Sequence, residues 1–526
     1  MGAPAKLAEV PEPSVVKNVF VGLHPASGYL AMWEDNLQRG ESAFSSTQQT
    51  LRFDVNLVFL APDGTLDGRI AGGRTRISDA SRDTYGFACL ANWDGITPIW
   101  LSNDELNSDL IGVYALQVTL EGRFRAQVDP NTPLIDSGNY TRRELASHSD
   151  LQRTAVAMTW AGGDVFLVRT MPDADPLGAS ARLDLMRLNA DGLPDAGFGY
   201  EGARRVDMDF SYRGVEVHWA DQRLVAAAAQ LTTTRLLLFD LTRNGDPVAT
   251  FGTNGVLSIA EAPAAAVNAQ VAHQGVGPTF RVMAVWGKKG KAGQVGVPAL
   301  HTLRYGVLDE QGAFTVAARD LATGVAGTTK HGWFHFAETE TPPHSIAAWH
   351  SPVGVGGAST MAVFINRFEP NGRAQAVTPA PAAYAPRPPL QLTALPGDSQ
   401  NAVIAPRPQA PAPTGTGITA GEIMTWRQRQ YGVAWQYRPN HNTAWGIYFS
   451  RLARDGTLVF PAPVPVPAPA RDVRVIFNAA TDATDPQMVW HSDGYGLAWL
   501  QQPSAVAGGL AGGDHTLMFT VLDEQG

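Results

Sequence analysis

Short stretches in which apolar and polar positions alternate, each closed by a glycine-containing turn, recur along the whole chain. Gly446-Ile-Tyr-Phe-Ser-Arg-Leu-Ala-Arg-Asp455-Gly456 and His515-Thr-Leu-Met-Phe-Thr-Val-Leu-Asp-Glu-Gln525-Gly526 are two of them. Period-two alternation places successive side chains on opposite faces of a strand, so both predict β-strands. The same strand-plus-turn ending occurs at Asp63-Gly64, Glu121-Gly122, Asp191-Gly192, Asn244-Gly245, Gln311-Gly312 and Asn371-Gly372, which with the first two makes eight turns. The turn glycines are 58, 70, 53, 67, 60, 84 and 70 residues apart. That spacing fits a four-stranded unit with connections of different length.

A second pattern lies ahead of the last two turns. Trp426-Arg-Gln-Arg-Gln-Tyr431-Gly-Val-Ala-Trp435 and Trp490-His-Ser-Asp-Gly-Tyr495-Gly-Leu-Ala-Trp499 both read W-x4-Y-G-x-A-W at a constant offset of 64 residues. Its second half recurs as Gly28-Tyr-Leu-Ala-Met-Trp33, Val282-Met-Ala-Val-Trp286 and Ser345-Ile-Ala-Ala-Trp349. Tyr85-Gly-Phe-Ala-Cys89 places the one cysteine where the other units carry tryptophan, so Cys89 reads as a core residue and not as a reactive thiol. A tryptophan at one position per unit reads as packing between sheets about 10 Å apart, with the indole N–H on a nearby carbonyl. The glycine beside the tyrosine reads as the residue that permits a sharp turn between first and second strands. Trp33, Cys89, Trp286, Trp349, Trp426, Trp435, Trp490 and Trp499 are therefore positions of the structural repeat and nominate no site.

Together these patterns predict an all-β chain, a single β-propeller of about eight four-stranded blades spanning residues 1–526. Approximate repeats run 13–68, 69–126, 127–197, 198–250, 251–316, 317–376, 377–460 and 461–526. The last repeat stops after what should be its third strand, and the segment from Lys6 to Glu12, ahead of a first strand near Asn18 to Leu23, can supply the fourth. The N-terminal strand then completes the last blade, closes the ring and removes an exposed sheet edge.

Composition agrees. Fifty-three glycines and 37 prolines in 526 residues suit many short strands joined by turns and do not suit long helices. With 44% hydrophobic and 17% charged residues the chain has the material for a large core. A formal charge of −9 disfavours nucleic acid or an anionic membrane surface as the main partner. One basic cluster, Lys288, Lys289 and Lys291, reads as a solvated hairpin tip. A lone cysteine excludes an internal disulfide and cysteine-based metal sites. No signal peptide and no run of about 18 apolar residues is present in the chain as given, so no membrane insertion is expected and the compartment is left open between cytoplasmic and exported by another route.

Candidate chemistry is sparse. His331 and His335, in Lys330-His331-Gly-Trp-Phe-His335, would share a face on a strand and are weak metal candidates, lacking a third ligand; ordinary loop and core histidines are the simpler reading. Asp173 with Asp175, and Asp482 with Asp485, could surround calcium but read more simply as turn caps. No nucleophile elbow, phosphate loop or dinucleotide fingerprint occurs. No catalytic residue and no cofactor is assigned. A proline-rich insertion at 376–416, including Thr378 to Pro389 and Ala405 to Pro413, reads as an extended surface loop or a partner-docking element.

Two stretches carry a family resemblance. Asp191, Phe198, Gly199 and Gly202 match Asn244, Phe251, Gly252 and Gly255 at a constant offset of 53. This resembles the delta-60 repeat of bacterial propeller proteins, while the Y-G-x-A-W stretches resemble degenerate WD40-like repeats. The resemblance implies a propeller with a binding or scaffolding role and brings no catalytic residues. The leading expectation is thus a non-enzymatic protein-interaction or scaffold module that binds a protein partner through blade loops and the insertion. The alternative is a carbohydrate-binding or glycan-acting propeller with its site at the channel mouth.

Overall fold

The computed structural model describes residues 5–10, 16–24, 28–36, 53–68, 75–77, 84–92, 95–103, 111–115, 118–119, 143–148, 156–161, 164–172, 181–188, 194–199, 203–208, 212–220, 223–230, 235–261, 266–274, 281–288, 300–326, 334–336, 345–353, 360–368, 390–391, 397–407, 430–453, 458–459, 473–476, 478–491, 494–504 and 515–523. Every regular element among them is a β-strand, and the strands form eight antiparallel sheets. The first sheet is Val16–His24, Gly28–Asp35, Asp54–Leu60 and Thr75–Arg76. The second is Thr84–Asn92, Gly95–Asn103, Ile111–Ala115 and Arg143–His148, with Val118–Thr119 also on its second strand. The third is Val156–Ala161, Asp164–Pro172, Ala181–Leu188 and Ala203–Met208; the fourth is Tyr212–Ala220, Arg223–Gln230, Arg235–Thr242 and Val256–Ala260. Ala266–Gln274, Arg281–Lys288, Leu300–Leu308 and Phe314–Ala326 make the fifth, and Phe334–Phe336, Ser345–Val353, Thr360–Phe368 and Leu390–Gln391 the sixth. The seventh is Asp398–Arg407, Gln430–Arg438, Gly446–Ala453 and Leu458–Val459, with Val473–Ile476 also on its third strand. The eighth takes Thr481–His491, Gly494–Pro503 and His515–Asp523, and its fourth strand is Ala5–Val10, paired antiparallel with His515–Asp523.

Two boundaries differ from the sequence expectation. The first four repeats and the sixth, drawn to their turn glycines, lose the fourth strand to the next interval, because the chain beyond the turn pairs back onto the third strand; Thr75–Arg76 on Asp54–Leu60 is the first case. Part of the 376–416 segment is sheet: Leu390–Gln391 is the fourth strand of the sixth sheet and Asp398–Arg407 the first strand of the seventh. Ala402 to Ala405 is a continuous apolar run, buried throughout as a strand covered on both faces requires, and the prolines at 406 and 408 come at its end. The remaining proline-rich residues lie outside the described residues.

Among the described residues, apolar side chains pack neighbouring sheets together at seven joints. Phe166, Leu185 and Phe198 of the third sheet meet Val217, Leu224 and Phe239 of the fourth; Leu236 and Phe251 of the fourth meet Val271 and Trp286 of the fifth. Phe519 of the eighth sheet meets Tyr29 and Trp33 of the first in the same manner. The repeated Trp33, Trp286, Trp349, Trp435 and Trp499 are all buried on second strands. Their indoles are not uniformly on carbonyls: Trp33 donates to Asp35 at 2.6 Å and Trp286 to Glu261 at 2.7 Å, both buried carboxylates. Trp490 is buried on the first strand of the eighth sheet against Tyr495; Trp426 lies outside the described residues.

The Tyr-Gly pair has a different cause from the turn expected of it. Gly432 and Gly496 sit inside second strands, where a β-carbon on Gly432 would come 2.6 Å from the Tyr495 ring and one on Gly496 would come 2.5 Å from the Tyr29 ring. Each glycine is thus a notch for the tyrosine of the following sheet. Cys89 is also displaced from its expected equivalence. It lies on the first strand of the second sheet, partly buried, opposite Pro98, while the tryptophan of that sheet's second strand is Trp100. Tyr85-Gly86 belongs to a first strand, so the short match had been set one strand out of phase. Burial pushes the Cys89 thiol far up, out of the reactive range.

A second lock lies at the third-to-fourth turns. Gly245 has φ +77°, and a β-carbon there would come 2.8 Å from Phe198 of the third sheet. Gly312, at φ +77°, covers the Phe251 ring of the fourth sheet, and Gly252 N–H donates to Gln311 O at 2.8 Å. Gly64, at φ +85°, covers Phe519 of the eighth. Phe198 and Phe251 are the phenylalanines of the 53-residue match, which thereby records a clasp between neighbouring sheets.

Candidate functional site

In six sheets the first strand carries one residue more than the second strand opposite it. Such bulges turn side chains out of the regular ladder and are frequent beside binding sites. In four sheets the two bulged residues face the repeated tryptophan: Asn18-Val19 opposite Trp33, Asn268-Ala269 opposite Trp286, Asn401-Ala402 opposite Trp435, and Asp485-Pro486 opposite Trp499. The leading residue is Asn or Asp each time. Asn18, Asn401 and Asp485 have φ of 49°, 51° and 51°, a left-handed conformation that Asn and Asp tolerate better than other side chains.

These bulges sit near the start of each first strand, at the end of the sheet where second and third strands are joined. There they link neighbouring sheets by polar contacts. Asn401 Nδ2 donates to Gln436 Oε1 and to Asp485 Oδ1, both at 3.0 Å, and Asp485 N–H donates to the same Gln436 Oε1 at 3.1 Å. Asn401 N–H points to His350 Nδ1 of the sixth sheet at 3.4 Å. His350 and Gln436 both directly follow the repeated tryptophan, so one position per sheet accepts from the bulge of the next. Burial pushes the His350 pKa down to about 4, which keeps its ring neutral and able to accept. In the first sheet Asn18 Nδ2 donates to Glu34, again the residue after the tryptophan, at 2.5 Å.

Beside this network lies a buried carboxylate. Asp398 Oδ2 accepts from Arg438 Nε and Nη2, both at 3.1 Å, and Oδ1 accepts from Met361 N–H of the sixth sheet at 3.1 Å. The Arg438 guanidinium stacks over the Trp445 ring, 4.4 Å from its centroid, and its Nη2 lies 2.9 Å from His441 Nδ1. Trp445 is half-buried, and its backbone is tied to the eighth sheet on both sides: its N–H donates to Asp482 Oδ1 at 2.8 Å and its carbonyl accepts from Ala483 N–H at 2.9 Å. The connecting hairpin is braced by Asn442 N–H to Asn440 Oδ1 at 2.8 Å and Thr443 Oγ1 to Asn440 O at 2.8 Å, leaving Asn440, His441 and Asn442 exposed. The seam therefore presents a fixed aromatic ring, amides, an imidazole and the exposed Asp485 carboxylate, while Asp398 and Arg438 neutralise each other beneath.

Sequence reasoning named few of these groups. Asp482 and Asp485 were read as loop caps; they lie on the strand Thr481–His491, one fixing Trp445 and the other in the bulge. Asn401, Gln436, Arg438, His441 and Trp445 were missed. Their signal, an Asn or Asp ahead of a small residue on each first strand, stands 15, 18, 34 and 14 residues before its tryptophan, so no constant spacing reveals it. His335 pairs with Ile346 on the first strand of the sixth sheet, and His331, Asp173, Asp175, Lys289 and Lys291 lie outside the described residues. Lys288 closes a strand with its ammonium 3.7 Å from Glu261, which also accepts from Arg304 Nη1 at 2.7 Å and belongs to the packing of Trp286. Among the described residues no group of three His, Cys, Asp or Glu side chains is placed to hold a metal ion.

No protein-family description matches the sequence, and no curated protein does. Among solved structures the chain is similar to the polysaccharide lyase Uly1, at 11% identity over 92% of this chain and 95% of that one, with a TM-score of 0.38. It is similar to prolyl oligopeptidase B from Galerina marginata at 10% identity over 94% and 55%, TM-score 0.39. The α-L-arabinofuranosidase of Fusarium graminearum follows at 8% identity over 71% and 94%, TM-score 0.30. Similarities this distant carry no argument about what the chain does.

Proposed function

We propose that the eight sheets are the blades of one β-propeller, closed by the strand Ala5–Val10, and that the ring is a non-enzymatic interaction platform. What supports the closure is that two locks recur across the eighth and first sheets: Tyr29 in the notch of Gly496, as Tyr495 in Gly432, and Gly64 on Phe519, as Gly245 on Phe198. What carries the platform reading is the unevenness of the connections on a regular frame. Between second and third strands they run from 231–234 in the fourth sheet to 36–53 in the first. Recognition concentrates in such variable segments held by a rigid scaffold. The partner is a protein, docked through these connections and the proline-rich segments 378–389 and 408–413.

Native affinity purification with mass spectrometry, comparing the intact chain with variants lacking 378–389 or 408–413 but keeping the strand Asp398–Arg407, tests this. A stoichiometric partner lost with either deletion is the expected result; no partner in any sample would sink the scaffold reading. A second reading, a carbohydrate-binding propeller, is favoured by one observation, the seam of hydrogen-bonding side chains around Trp445.

A further inference from the structure

We infer that the hairpin between Arg438 and Gly446, with the adjoining first strand of the eighth sheet, is a subsite for a neutral polyhydroxylated ligand, a carbohydrate, and that Trp445 is its stacking platform. The inference deepens the carbohydrate reading and rests on it. Three features point this way. Trp445 is half-buried although its backbone is bonded on both sides to the eighth sheet, with the Arg438 guanidinium over one face of its ring. A half-exposed indole fixed in advance offers an apolar face to the C–H groups of a sugar ring without the entropy of ordering a loop.

Polar groups of both kinds lie on the same hairpin and on the adjoining strand. Asn440 and Asn442 carry exposed amides, His441 is 75% exposed, and Asp485 offers a carboxylate whose Oδ1 already accepts from Asn401. Amides, imidazole and carboxylate can each meet hydroxyl groups, which donate and accept.

The charge balance selects against acidic ligands. Arg438, the nearest cation, is committed to Asp398 and stacked on Trp445, while Asp482 and Asp485 add negative charge. An anionic sugar or acidic peptide would meet net repulsion, whereas a neutral sugar is a net hydrogen-bond donor to the carboxylates.

The test is calorimetric titration of the full chain with cellohexaose, xylohexaose, mannohexaose and hexagalacturonate. Binding of at least one neutral probe and none of the acidic one is expected, with affinity reduced tenfold or more by Trp445→Ala and several-fold by Asp485→Asn. Should Trp445→Ala unfold, Trp445→Phe and Asp485→Asn carry the comparison, since Phe keeps a ring of smaller face and Asn keeps the shape of Asp. Neutral-sugar binding that all of these variants retain would overturn this site and leave the carbohydrate reading standing. No binding of any neutral probe, or preference for hexagalacturonate, would overturn the site, and the former the reading too.

Discussion

The joints among the third, fourth and fifth sheets and the joint between the seventh and eighth solve the same problem with different chemistry. In the former, a glycine turn seats on a phenylalanine, Phe198 or Phe251, and the charged groups that cross, Arg243 with Asp164 at 2.8 Å and Arg204 with Asp246, sit around the clasp. In the latter, Tyr495 fills its notch deep in the sheets, but the end near the bulges is joined by Asn401, Gln436 and Asp485, with Asp482 holding Trp445. Apolar contact suffices to hold sheets together. A joint built on amides and carboxylates in left-handed bulges gives up packing for positioned polar groups, the arrangement expected where a surface has something to recognise.

The sharpest break of this comparison is at the clasp. Phe251→Ala should lower stability by about 3–5 kcal/mol, because Phe251 is fully buried and its cavity lies under the neighbouring turn. Urea denaturation reads it, and a loss no larger than that of a surface mutation would remove the clasp from the account. Next comes the notch: Gly496→Ala puts a methyl group into the Tyr29 ring and should cost about 1–3 kcal/mol. At the polar joint, Asn401→Ala should cost about 1–2 kcal/mol and Asn401→Gly less, since only glycine relieves the left-handed strain. If Asn401→Ala destabilises as much as Phe251→Ala, the seam is structural and the contrast fails.

A smaller effect is in pH. Burial raises the Glu216 pKa from 4.5 to about 7, so the folded chain holds a proton that the unfolded chain releases, and this contribution is present below about pH 4.5 and lost as pH rises toward 7. His350 acts in the opposite sense: with its pKa lowered from 6.5 to about 4, its contribution is present above about pH 6.5 and lost as pH falls toward 4. Partial exposure of Glu216 keeps its effect to about 1–2 kcal/mol. Glu216→Gln should therefore flatten the decline between pH 5 and 7 in denaturation midpoints; an unchanged slope would assign the decline elsewhere. Smallest of all is Asp485→Asn, expected to move stability by less than about 0.5 kcal/mol while altering ligand binding.

Strand type was legible because it rests on an alternation that many residues share, and the pairing of an N-terminal strand with His515–Asp523 because a sheet edge left open needs a strand to cover it. Gly64, Gly245 and Gly312 stood out because each closes a third-to-fourth turn at positive φ, and the Tyr-Gly pair recurred because Gly432 must make room for Tyr495 and Gly496 for Tyr29. Its role was misread because a glycine excluded by a neighbouring sheet's side chain looks, along one chain, like a glycine required by a turn. Cys89 was misplaced for a related reason: five residues of first strand and five of second strand have the same alternation. Trp445, Arg438 and His441 could not be found at all, since what unites them is contact within one hairpin, beside the Asp398 carboxylate of the first strand, and no repeated spacing records it.

The pairing of Ala5–Val10 with His515–Asp523 also dictates an order of events. Ala5–Val10 is synthesised about 505 residues before its partner His515–Asp523, so it must wait, unpaired, while the intervening sheets form. The other sheets pair strands close in sequence and can form one by one, whereas the eighth is finished only once His515–Asp523 has been made, by a contact of high sequence separation. Until that contact forms His515–Asp523 offers an open edge, which makes the interval before pairing the moment at which this chain is most exposed to joining another copy of itself.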